Sequence, residues 1–175
     1  SIYWTDDKGD KNNIVLKKET GGYFIGRYNT NEEETIKLFD PSSIELTSND
    51  FEINDISQDK TSLRFLGQIQ ENFFISNKKG EVTLKIKAKK LLSTMSGLFM
   101  NCSHLIDLDL SNFKSDNITK MDSLFINCTS LQNVNFTNFN SSKVKTMDKM
   151  FMNCKELTGL DLSSFETSNL KSMED

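Results

Sequence analysis

From Met95 onward the apolar positions return with a fixed step of 26 residues. Met95, Met121, Met147 and Met173 share one column, Phe99, Phe125 and Phe151 a second, and Cys102, Cys128 and Cys154 a third. Further columns join Leu105, Leu131 and Leu157; Leu108, Val134 and Leu160; and Leu110, Phe136 and Leu162. Two more join Phe113, Phe139 and Phe165, then Ile118, Val144 and Leu170. A period of this length marks a repeat array. Within a repeat, "MDSLFINC" puts Met121, Leu124, Phe125 and Cys128 at i, i+3, i+4 and i+7, which predicts one face of a short helical turn. "CTSLQNVNFTNF" fits the leucine-rich pattern L-x-x-L-x-L, and Leu108 and Leu110 flank Asp109 as a half-buried strand would. Each coil is expected to be a helical turn, a strand and a polar return such as "NSSKVKT", with the strands stacked in a parallel ladder about 4.8 Å apart.

The fold class expected is therefore α+β: a short leucine-rich repeat solenoid over residues 91–175, preceded by a small β-rich domain over residues 1–90. The repeats run 95–120, 121–146 and 147–172, and "MED" opens a fourth. Because the end of such a stack needs a polar cap, further repeats are expected beyond Asp175.

In residues 1–90 the period is two. "GEVTLKIKAKK" alternates Val82, Leu84, Ile86 and Ala88 with Thr83, Lys85 and Lys87, a half-buried strand. "NFFIS" precedes it, with "NKKG" (Asn77 to Gly80) as a hairpin turn between them. "NIVLKK", "GYFIGRY", "ETIKLF", "SSIEL", "FEI" and "SLRFL" read as further short strands of an antiparallel domain that caps the first coil.

A net charge of −4 argues against nucleic acid as a partner. No apolar run is long enough to span a membrane, and the polar start "SIYWTDDKGDKNN" has no signal-peptide core, which is compatible with a processed form or fragment.

"MFMNCKELTGLDLSSFETSNLKSM", Met150 to Met173, closely resembles the 26-residue repeat of the BspA-like leucine-rich repeat surface proteins of bacteria and protists. The resemblance covers residues 95–175. It departs at "VNFTNF" in the middle repeat and "FKSDNI" in the first, both of which keep the apolar columns. It implies a cell-surface or secreted protein with a role in adhesion or in binding host or matrix proteins, and it supplies no catalytic residues.

The striped residues themselves read as scaffold. Cysteines in successive rungs lie in a row, the outer two about 10 Å apart, and cannot converge on one zinc. Their side chains run parallel, so a buried ladder of free thiols is the better reading. His104 follows Cys102 by two positions, but its counterparts are Ser130 and Glu156, so it is expected to be a free position and not half of a catalytic pair. "TGGYFIG" lacks the lysine and hydroxyl of a phosphate loop, so Gly21 and Gly22 read as a turn. "TDDKGDKNN" does not follow the EF-hand order and reads as a solvated turn. Asn101, Asn127 and Asn153 form a column suited to bonding along the stack, while Asn101, Asn117, Asn127, Asn135 and Asn140 stand in N-x-[ST] sequons. No enzyme, metal or cofactor is expected.

The outward strand face remains. The candidate partner-binding residues are Asp107, Asp109, Ser111 and Asn112 in the first repeat, Asn133, Asn135, Thr137 and Asn138 in the second, and Asp161 and Ser163 in the third. A rigid polar face of this kind suits a protein or glycan partner. Packing into a larger scaffold or coat is the alternative.

Overall fold

The computed structural model describes residues 2–5, 11–14, 20–31, 34–40, 44, 50–55, 63–65, 73–76 and 79–174. Its strands are β1 (Ile2–Thr5), β2 (Lys11–Ile14), β3 (Tyr23–Thr30), β4 (Thr35–Lys37), β5 (Phe51–Asp55) and β6 (Leu63–Phe65). They continue as β7 (Phe73–Ser76), β8 (Gly80–Ala88), β9 (Leu105–Asp109), β10 (Asn133–Asn135) and β11 (Gly159–Leu160). Alternation in "GYFIGRY" and "GEVTLKIKA" places Phe24, Tyr28, Val82, Leu84 and Ile86 in the core, as period two requires. The turn expected at "NKKG" includes Asn77 and Lys78, and the one at "TDDKGDKNN" includes residues 6–10; these lie outside the described residues, as does most of "SSIEL".

Six strands form one mixed sheet in the order β11-β10-β9-β3-β8-β5. The repeat strands pair in parallel, Asn133 opposite Asp107 and Gly159 opposite Asn133, while β3 runs antiparallel to both β9 and β8. Smaller sheets, β1-β2 and β4-β7-β6, complete the described strands.

The expected α+β class, with a leucine-rich solenoid of helix-bearing coils, is thereby overturned. Among the described residues there is no α-helix, and the repeat strands belong to the same sheet as β3, β8 and β5. The "MSGLFMNC" segments are instead ribbons of overlapping turns. Leu98, Met100 and Cys102 donate their N–H groups three residues back, to Met95, Gly97 and Phe99. The alternate N–H groups, of Gly97, Phe99 and Asn101, donate to Asp122, Leu124 and Ile126 of the next repeat at 2.9–3.0 Å. A helix would spend every N–H within itself. Left-handed backbone at Gly97, Ser123 and Lys149, and again at Asn101, Asn127 and Asn153, breaks any helical run.

One hydrophobic cluster runs through both parts of the chain. Phe24 of β3 meets Phe99 edge-on at 5.1 Å, and Phe99, Phe125 and Phe151 stack in parallel 5.4–5.5 Å apart. Gly22 makes the join close. Its φ is +75°, and a Cβ there would lie 2.3 Å from the carbonyl oxygen of Asn112, whose backbone accepts the N–H of Tyr23.

Candidate functional site

The outward side of the six-stranded sheet carries residues in rows that cross the strands. One row runs Asn54, Lys85, Ile25, Asp109, Asn135; the next runs Thr83, Arg27, Asp107, Asn133, Gly159. Strand pleating sends these side chains to the face opposite the core. Together with Leu108, Val134, Thr158, Leu160 and Asp161, most of them line a solvent-open groove of about 840 Å³. Gly159 deepens it, because a Cβ there would meet the Oδ1 of Asn133 at 3.1 Å.

Of the ten residues expected on the binding face, five line this groove: Asp107, Asp109, Asn133, Asn135 and Asp161. Thr137, Asn138 and Ser163 line a smaller adjoining hollow of about 320 Å³ with Asn135 and Asp161. Ser111 and Asn112 stand outside both; the Asn112 side chain donates to Ser111 Oγ at 3.1 Å.

Several of these acids already have structural work. Asp109 Oδ1 accepts the N–H of Ser111 at 2.8 Å and the amide of Asn135 at 3.2 Å. Asn135 and Asp161 cap their own turns in the same way, through Thr137 and Ser163. These are Asx turns that end each strand. Hydrogen bonds from Ser163, its side chain first, hold the Asp161 carboxyl below the usual range. Asp107 is gripped by Arg27, whose Nε donates at 2.7 Å and whose other terminal nitrogen reaches Glu81 at 2.7 Å.

The pattern reading of the repeats does not include Ile25, Arg27 or Thr83. The alternation of "GYFIGRY" marks Ile25 and Arg27 as outward. Their place beside Asp109 and Asp107 depends on β3 pairing with β9, which no local pattern discloses.

The cysteines are free thiols in the stack. Cys128 donates to Phe99 O at 3.0 Å and Cys154 to Phe125 O at 3.1 Å. Burial pushes the Cys128 thiol up to about 12 and Cys154 up to about 11, and Cys102 well above the ordinary value. Such thiols are poor nucleophiles at neutral pH. His104 is held more firmly than a free position: its Nε2 meets Glu34 Oε1 at 3.0 Å and its Nδ1 meets Ser103 Oγ at 3.3 Å. The contact ties Glu34 to the first repeat.

A family model described as "Mycoplasma protein of unknown function, DUF285" matches residues 71–175, more than half of the chain. The chain belongs to this family. The DUF285 match begins before β7 and runs through β8 and all three repeats, so it includes the strands on the β9, β10 and β11 side of the groove together with β8. No curated protein and no solved structure matches. Among the described residues, no helix is long and apolar enough to cross a membrane.

Proposed function

We propose that the chain is a non-enzymatic interaction module of a cell-surface or secreted protein, and that it binds a protein or glycan along the sheet groove. One observation carries this reading: the outward columns of the repeats converge with Ile25, Arg27 and Thr83 on one open groove with both polar and apolar walls. Apolar surface at Ile25 and Leu160 offers contact area, and the surrounding amides, carboxylates and guanidinium offer direction. Surface location and adhesion rest on the resemblance of the repeats to BspA-like proteins. DUF285 membership is compatible with that finer assignment and does not by itself supply it.

The test is a panel of immobilised glycans and matrix proteins probed with the wild-type chain and with Arg27→Gln combined with Asn133→Ala. The Arg27 ion pairs are partly exposed, so their removal costs about 0–1 kcal/mol of stability. Equal melting temperatures with a loss of about tenfold or more in affinity support the groove. Unchanged binding by the double variant places the interaction elsewhere.

A further inference from the structure

The outward side of the six-stranded sheet is divided by charge at the seam between β3 and β9. On the repeat side Asp107 and Asp109 stand among amides. On the other side β8 turns Lys85 and Lys87 outward, since Leu84, Ile86 and Ala88 are buried. The two lysines lie roughly 7 Å apart along the strand. Across to β3, Lys87 is opposite Tyr23 and Lys85 opposite Ile25; across to β5 they face Glu52 and Asn54. Lys114 joins them near the start of β3, where it is exposed and its N–H donates to Gly21 O at 2.8 Å.

These cations are not spent on ion pairs. Among the described residues Arg27 is held by Asp107 and Glu81, and Lys90 by Asp50, whereas Lys85, Lys87 and Lys114 meet no carboxylate. Lys85 Nζ lies instead 4.1 Å from the centroid of the Tyr23 ring. A cation over a ring keeps its charge for a further anion, and the contact restrains a side chain whose ordering would otherwise oppose binding. Hydrogen-bond donors border the lysines. Tyr23 N–H bonds Asn112 O at 3.1 Å, so Ser111 and Asn112 abut Tyr23. The Asn112 amide donates to Ser111 Oγ at 3.1 Å, which leaves the Ser111 hydroxyl hydrogen to donate outward. Ser111 and Asn112, expected on the binding face but outside both hollows, thus border this basic strip.

We infer that this strip binds a linear anionic polysaccharide, its anionic groups on the ammoniums of Lys85, Lys87 and Lys114 and its oxygens on the donors of Tyr23 and Ser111. Breadth and depth decide the class. Glu52 flanks the lysines on the β5 side, and Asp109 stands beyond Ile25 on the repeat side. A flat anionic membrane would be pressed against these carboxylates, and a net charge of −4 opposes a nucleic-acid duplex. A peptide is held chiefly by an anchor side chain in a pocket, and neither hollow on this face is lined by Tyr23, Lys85 or Lys87. A slender chain bearing closely spaced anions and hydroxyls satisfies the ammoniums and the donors without a cleft. The strip uses none of the groove's lining residues and stands or falls apart from the groove reading.

The probe is heparin, titrated into the full chain by calorimetry at about 0.15 M salt and again at about 1 M, where screening is nearly complete. Saturable binding is expected at the lower salt and its loss at the higher. Lys85→Gln combined with Lys87→Gln should weaken it about tenfold or more at an unchanged melting temperature. Lys155→Gln combined with Lys171→Gln removes the same charge from exposed positions of the third repeat and should leave affinity within about twofold. Absence of saturable binding overturns the inference, as do equal binding of neutral dextran and equal losses from the two double variants. Tighter binding of polyglutamate, or of vesicles of equal parts phosphatidylserine and phosphatidylcholine, lost with the same two lysines, would give the strip to an acidic polypeptide or a membrane and overturn the proposed occupant. The groove variant, Arg27→Gln with Asn133→Ala, should bind heparin as the wild type does; loss there would move the polyanion into the groove and overturn the strip.

Discussion

Asn127 serves the backbone and the stack at once. Its φ is +62°, left-handed backbone that costs most side chains about 1–2 kcal/mol and that asparagine tolerates better. Its amide nitrogen donates to Asn101 Oδ1 at 2.8 Å, and its amide oxygen accepts from Asn153 at 2.8 Å. These exposed amide bonds contribute roughly 0.5 kcal/mol each, so the backbone preference is the larger effect. Asn127→Ala should therefore lower stability by about 2 kcal/mol in urea titration, and Asn127→Gly by clearly less, because glycine keeps the left-handed geometry. Equal losses for the two variants would show that the amide ladder and not the backbone dominates. The same geometry bears on the sequon at Asn127, whose nitrogen is already a donor within the ladder.

At the scale of the element, the turn ribbon explains both what the sequence disclosed and what it hid. Spacing i, i+3, i+4, i+7 correctly put Met121, Leu124, Phe125 and Cys128 on one buried face. A ribbon of overlapping turns presents the same spacing as a helix, and only the residues at the left-handed positions separate the two. Gly97 and the asparagines at 101, 127 and 153 are that signal. Ser123 and Lys149, which occupy the column of Gly97, conceal half of it. The polar wall of the groove was legible because Asp107, Asp109, Asn133 and Asn135 alternate with buried residues. Arg27 was not, since it meets Asp107 across 80 residues of chain through a pairing set by the whole sheet. The polar returns between strands also hold the stack together. Ser115 and Ser141 are 2% exposed, and their hydroxyls accept the N–H groups of Asn140 and Glu166 at 2.7 and 2.8 Å. Ser141→Ala should strand the N–H of Glu166 and cost about 1–3 kcal/mol, measured by denaturant unfolding. A neutral result would mean that water replaces the hydroxyl.

For the whole molecule, the shared sheet and continuous core make the repeats and β3, β8 and β5 one packed structure. Asp148 accepts the hydroxyl of Ser172 at 2.6 Å and the N–H of Glu174 at 2.9 Å, and these bonds, the hydroxyl first, hold its carboxyl below the usual range. Asp161, held low by Ser163, lies on the same repeat. A lowered carboxyl favours the folded state wherever it is ionised. Its contribution is complete above the ordinary aspartate value of about 3.9 and disappears as pH falls through the lowered value. Acidification below about pH 4 should therefore loosen the third repeat before the first. Hydrogen exchange compared at neutral and acid pH checks the order; simultaneous loss of protection in all repeats would show that these two carboxylates do not govern it.

The forward-running bonds of the turn ribbons also bear on how such a gene can change length. Each turn ribbon gives its alternate N–H groups to carbonyls of the next repeat, and the side chains beside them are as different as Gly97, Ser123 and Lys149. Duplication or loss of a segment encoding one whole period would leave every ring over a ring and every asparagine beside an asparagine. A slip of any other length would set polar residues into the phenylalanine column. A change in whole steps of 26 codons thus keeps the columns in register, and it alters the groove only by whole rungs of its wall.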